Sequence, residues 1–315
     1  MKRKAYLTVS IILIAVTVFS CFMSAYAAST TDAAEKVELR TDCSLNITYS
    51  GSGVDFAGQN IRLWHIADIT AKEQYALVGA FADYPVEITG TSSQSEWNEM
   101  TVTLNSYILA DGISPDRTAA TDANGNVTFE DLTAGMYLVG SLRTQANCRH
   151  YVFESFMVAV PGVGEDGKWL YNVSAKPKMG EDAPSKGDVT YKAVKMWKDN
   201  GKDRPDSVSI EVYKDGELQH TAELCSENNW TYSWTTVDDG SVWSVKEKEV
   251  PEGYTVGIQQ NGDTFSIINS GHRPGDDPSK TGDTADMTLW LALAAACGAL
   301  IVLFGVLQRK KRREE

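Results

Sequence analysis

Val189-Thr190-Tyr191-Lys192-Ala193-Val194-Lys195-Met196-Trp197 alternates in side-chain character with a period of two, the pattern of a strand with one face in a core. Val189, Tyr191, Ala193, Lys195 and Trp197 share the inward face. Two later runs behave the same way. Trp243, Val245 and Glu247 share one face, and Phe265, Ile267 and Asn269 share another. Each apolar face holds one polar intruder: a lysine, a glutamate and a carboxamide. A lone buried charge is costly, so such groups occur with partners. For any single strand, an intruder at a strand end or register break is an ordinary alternative; three of complementary chemistry point to a cluster.

The trio suggests a reaction. An amine and a carboxamide condense to an amide with loss of ammonia. Burial lowers a lysine pKa and frees the nucleophilic amine; it raises a glutamate pKa, so the protonated acid can hydrogen-bond and polarise the Asn carbonyl. The expectation is an intramolecular isopeptide bond between Lys195 and Asn269, with Glu247 as catalytic proton shuttle. It forms once, so it is self-modification and not enzymatic turnover.

Outward from these strands, Gly180–Asp188 is hydrophilic and reads as a linker, residues 180–188. On both sides, Val-, Ile-, Tyr- and Trp-rich runs are punctuated by Gly, Asn and Asp. The expected fold is all-β: two tandem Ig-like β-sandwiches, residues 28–179 and 189–270, with one helix inserted in the first. That helix is read over Ser93–Ala110, where Trp97, Met100, Leu104, Tyr107 and Ile108 recur at helical spacing and Gly112 follows. Its stripe reads as core packing. Asp122-Ala123-Asn124-Gly125-Asn126-Val127 has Val127 where an EF-hand loop needs Gly, so it reads as a turn between strands.

Both ends read as addresses. Lys2-Arg3-Lys4, an apolar run and Ala25-Tyr26-Ala27 form a signal peptide, residues 1–27, cleaved between Ala27 and Ala28. Phe19 argues against a lipoprotein site at Cys21. A stalk and sorting segment covers 271–286. Residues 287–307 carry no charge, and at about 1.5 Å per residue they span roughly 30 Å, one hydrocarbon core. The basic tail, 308–315, keeps that transmembrane helix's end inside.

The stretch Val194-Lys195-Met196-Trp197-Lys198-Asp199-Asn200, with Glu211-Val212-Tyr213-Lys214-Asp215-Gly216, Val250-Pro251-Glu252-Gly253-Tyr254 and the closing Phe265–Asn269, resembles the Cna B-type domain of Gram-positive surface proteins. In that family the first-strand Lys bonds the last-strand Asn, assisted by a Glu; the matching positions are Lys195, Asn269 and Glu247. Residues 40–179 resemble, more loosely, the N-terminal domain of sortase-assembled pilins. Trp169, Val173, Pro177 and Lys178 match the pilin motif, whereas Ala175 and Lys176 depart from it. The resemblance implies Lys178 as the intermolecular acceptor amine, with Lys176 competing. Thr281-Gly282, ahead of a span and a basic tail, is similar to a sortase cleavage site, although Ser279 stands where the pentapeptide has Pro. The first domain has no Lys in Ser44–Tyr49 and no Glu after Val139, so no isopeptide bond is expected there. Cys43 and Cys148 either pair as a substitute disulfide or remain buried thiols, and Cys225 is left odd.

The chain is 43% apolar and 23% charged with a net charge of −13. Its basic clusters sit at the two ends, so the body is more acidic still, which excludes nucleic acid as a partner. Four scattered histidines and no Cys-x-x-Cys supply no metal site, and no cofactor is expected. No nucleophile–His–Asp motif supports a surface enzyme. Two readings follow. The first is a pilus backbone subunit on the Gram-positive cell wall, with sortase, neighbouring pilin subunits and peptidoglycan as partners. The alternative is a monomeric adhesin or minor pilin binding a host extracellular ligand.

Overall fold

The computed structural model describes residues 36–271, apart from 52, 71, 89–92, 147–148, 182–186, 200 and 202–203. The chain forms two compact units. One holds the described residues up to Ala82 together with Pro115–Asp182; the other holds Asp83–Ser114 together with the residues from Ala183 on.

In the first unit, β1 (Cys43–Thr48) lies between β3 (Asn126–Leu132), antiparallel, and β6 (Asn172–Ala175), parallel. The long β2 (Asn60–Ile69) pairs with β4 (Gly135–Val139), which pairs in turn with β5 (Phe156–Val160). Alternate residues of these strands, among them Leu45, Ile47, Leu63 and Val127, fill one apolar core. Tyr49 and Phe56 meet Phe153 edge-on at 5.0 and 5.3 Å, within the favoured range for aromatic pairs. The Asp122 loop is a turn: the Asp122 carboxylate accepts from the amides of Asn124 and Asn126, both at 2.8 Å. Gly125 is required there. Its φ is +76°, and a Cβ would fall 2.3 Å from the Tyr49 carbonyl oxygen. The expected linker begins later than read, because Gly180 and Glu181 pair with Val152 and Tyr151 as a short strand.

The second unit is a sandwich. One sheet runs β10 (Thr231–Val237), β7 (Asp188–Lys198), β13 (Thr264–Gly271), β12 (Tyr254–Asn261). The other runs β9 (Glu217–Cys225), β8 (Ser207–Lys214), β11 (Trp243–Glu247). Its first and last strands, β7 and β13, lie side by side and parallel, with Lys195 opposite Ile267 and Trp197 opposite Asn269. The alternation read from the sequence holds: Ala193 and Lys195 are buried, Val189, Tyr191 and Trp197 half-buried, and the residues between them mostly exposed.

The helix, α1 (Gln94–Asp111), opens on a capping box in which Ser93 and Glu96 satisfy each other's backbone amides, and closes on Gly112 in the left-handed conformation. Met100, Leu104, Tyr107 and Ile108 are buried as the stripe implied. The core they join is the difference from the sequence reading. The helix lies within the sequence span of the first domain, yet it packs on β11 and β12 of the second unit. Periodicity reports that a helix has an apolar face, and is silent on which core receives it. β11 and β12 are each an edge strand, one in each sheet, and the helix packs on both. The outward amide of Ile258 donates to Thr103 Oγ1 at 2.7 Å, and that of Val256 to the Pro85 carbonyl at 2.8 Å.

Candidate functional site: a buried lysine, glutamate and asparagine

Strand geometry brings the trio together. Lys195 and Asn269 lie on neighbouring parallel strands, two positions out of register, so period two puts them on the same inward face. Glu247 ends β11 in the facing sheet. Their residue exposures are 4%, 0% and 1%. Among the described residues these are the only buried charges and the only buried carboxamide; the first unit's buried polar residue is Thr121, whose hydroxyl bonds to the Phe56 carbonyl.

Glu247 bridges the other two. Its Oε1 accepts from Asn269 Nδ2 at 3.0 Å, and its Oε2 lies 3.5 Å from Lys195 Nζ. The amine also reaches the Met196 and Ile267 carbonyls at 3.3 and 3.5 Å. Burial lowers the Lys195 pKa to about 8, against the opposing pull of Glu247. Burial likewise raises the Glu247 carboxyl, against Lys195 and the Asn269 amide. Desolvation thus wins at both groups and favours neutral amine beside neutral acid. Asn269 Oδ1 is buried without a hydrogen-bond partner, and Glu247 meets the nitrogen of the carboxamide instead, so no donor polarises the carbonyl in this arrangement.

A roof covers the amine. The Trp197 ring lies 4.3 Å from Lys195 Nζ and packs edge-on against Trp230 and Tyr254. Asp199 holds the roof's rim: it accepts from Arg204 Nε at 2.9 Å, Tyr254 Oη at 2.8 Å and Gly201 N at 2.8 Å. The hydrogen bond from Arg204 is the main reason the Asp199 carboxyl sits well below the usual carboxylate range. Sequence reasoning missed this rim. Asp199 and Arg204 look like any solvated loop pair, and only the fold brings Tyr254 to them.

The other sequence-derived residues lie apart. Lys176 and Lys178 are both exposed, with half-buried Pro177 between them, in the segment that leaves β6. Cys43 is a buried free thiol, its Sγ 4.0 Å from the Arg40 carbonyl; Cys148, its expected alternative partner, lies outside the described residues. Ala27, Ala28, Thr281, Gly282 and the 287–307 span also lie outside them. Among the described residues no helix is long and apolar enough to cross a membrane, and no cluster of His, Cys, Asp and Glu could hold a metal ion.

Residues 191–270 match the family model of the Cna protein B-type domain. The segment matched thus contains Lys195, Glu247 and Asn269, and the second sandwich is a domain of that type. A curated relative, the collagen adhesin of Staphylococcus aureus, is 30% identical over 97 residues, 28% of this chain; the chain spans 8% of that protein's length. Among solved structures, a single B repeat unit of the collagen-binding surface protein of Staphylococcus aureus aligns at 15% identity over 74% of this chain and 100% of its own, with a TM-score of 0.26. The full-length major pilin SpaD of Corynebacterium diphtheriae aligns at 18% identity over 76% of this chain and 66% of its own, with a TM-score of 0.27. The minor pilin GBS52 of Streptococcus agalactiae aligns at 16% over 76% and 100%, with a TM-score of 0.23.

Proposed function

We propose that the chain is a structural protein of the Gram-positive cell surface, a pilus backbone subunit whose second domain is locked by an amide between Lys195 and Asn269. The observation that carries this reading is Glu247 standing between amine and carboxamide, one oxygen toward each. The neutral Lys195 Nζ attacks Asn269 Cγ. The protonated Glu247 gives its proton to the leaving Nδ2 and takes one from the attacking nitrogen. The new Cγ–Nζ bond forms, the Cγ–Nδ2 bond breaks, and ammonia leaves. Glu247 ends as it began. Proximity in a dry core replaces several kcal/mol of barrier, on the order of what effective-molarity arguments allow. Nothing turns over, so the chain is not an enzyme.

Assembly rests on the exposed Lys178 as acceptor for the Thr281 carbonyl of the preceding subunit, joined by a sortase that cleaves Thr281–Gly282 and anchors the last subunit to peptidoglycan. A second reading, an adhesin or minor pilin holding a host ligand, is favoured by the similarity to a collagen adhesin. The experiment that tests the amide is the intact mass of the recombinant chain from Ala28 to Lys280. It should fall one ammonia below the sequence mass, with the Lys195 and Asn269 peptides joined; a full sequence mass overturns the amide. Extracts of native cell wall separate the two readings of assembly: a ladder of detergent-resistant multimers supports the backbone subunit, and a single band supports the adhesin.

A further inference from the structure

We propose, resting on the amide-forming reading above, that the Asp83–Ser114 insertion completes that centre: Tyr107 walls water away from the Glu247 side of the core and is a positioning residue for the bond. Four residues at four-residue spacing form a row along one face of α1, and each engages the sandwich. Glu99 accepts from Gln259 Nε2 at 2.6 Å. Thr103 takes the Ile258 amide at the free edge of β12. Asp111 Oδ1 meets Lys246 Nζ at 2.5 Å, on the residue just before Glu247. The helix is thereby bolted to the edges of both sheets. Tyr107 sits between the bolts, 3% exposed, in one apolar cluster with Val245, Val256 and Ile267.

Its ring is held on two sides. Tyr84 stacks on it at 4.2 Å and bonds Asp111 Oδ2 at 2.6 Å, while Lys246 Nζ lies 5.1 Å from its centroid. Burial raises the Tyr107 phenol, and the negative charge of the neighbouring Glu247 adds to it. β11 has no strand on its other side, and α1 covers that edge beside the Glu247 end of the core. Water admitted there would bring the Glu247 carboxyl back toward its ordinary value. That fall depletes the population of neutral acid beside neutral amine.

The test uses the full mature chain with Tyr107→Ala, Tyr107→Phe and Thr103→Val, read by intact mass and by circular dichroism. Wild type and Tyr107→Phe, which keeps the ring, should be one ammonia light. Tyr107→Ala should fold yet retain molecules at full mass, which lose ammonia on incubation more slowly than wild type. Thr103→Val weakens the same helix contact without opening the pocket, and should be fully bonded. If Tyr107→Ala does not fold, Tyr107→Leu replaces it with the same expectation. A folded Tyr107→Ala chain that is fully bonded, or a Thr103→Val chain equally deficient, overturns the inference and leaves the amide reading intact. A wild-type chain at full mass sinks both.

Discussion

Replacing Glu247 with Gln separates the cross-link from the packing. The side chain keeps its volume and its acceptor oxygen, but cannot carry the proton from Lys195 to the leaving nitrogen. The variant should therefore stay at full sequence mass. The amide closes a loop of about 75 residues between Lys195 and Asn269, and the chain-entropy relation makes such a closure worth about 4.5 kcal/mol at room temperature. The second unit comprises about 110 described residues, so its unfolding entropy is on the order of 0.23 kcal/mol per degree. The expected fall in Tm is then roughly 15–20 °C. Leaving Lys195 buried without its carboxylate partner adds to that loss. Scanning calorimetry of wild type and variant, with intact mass on the same samples, measures both halves. A Glu247→Gln chain that still sheds ammonia refutes the shuttle. One that lacks the bond yet melts within about 3 °C of wild type refutes the loop argument, since the closure then constrains little.

Lys178→Ala should collapse a detergent-resistant ladder from native cells to monomer, while Lys176→Ala leaves it; the reverse pattern reassigns the acceptor. Asp199 has its carboxyl lowered by Arg204 and Tyr254, so its contribution is fully present above the ordinary carboxylate pKa and is lost progressively as pH falls from there through the lowered value. Asp199→Asn should thus lower Tm at pH 7 and converge on wild type in acid, as thermal melts across pH would show. Gly125→Ala combines a positive φ with a Cβ against the Tyr49 carbonyl, and should cost the first unit about 1–3 kcal/mol in urea unfolding. Thr103→Val leaves the Ile258 amide without an acceptor at a buried edge, at a cost of about 1–3 kcal/mol by the same measurement on the second unit.

Much of the second sandwich was legible because period two is a direct consequence of strand geometry. It placed Lys195, Glu247 and Asn269 on inward faces before any partner was known. The helix was legible through its stripe and Gly112; the Ser93–Glu96 box emerged only with the structure. Its destination was not. Sequence order and a hydrophilic stretch at 180–188 suggested two consecutive beads, and the contacts that contradict them, Thr103 with Ile258 and Glu99 with Gln259, join residues 155 and 160 apart. Thr103 shows why: a threonine amid an apolar helical face reads as a weak helix former, not as the acceptor for a distant sheet edge. The roof over Lys195 was hidden for a related reason. Asp199, Arg204 and Tyr254 meet only after β7 and β12 are both in place.

The insertion also sets an order of events. Ribosomes deliver the chain from the N-terminus, so α1 is made well before the edge strands it covers, and its apolar side must wait through the synthesis of more than a hundred residues. The first unit has the same difficulty in mirror image, since Pro115–Asp182 must find partners on the far side of the inserted piece. Long closures of this kind slow folding. They also mean that the second unit cannot be excised at its apparent N-terminal boundary and grafted elsewhere as a cassette, because a fragment beginning at Ala183 leaves the helix behind and bares two sheet edges at once.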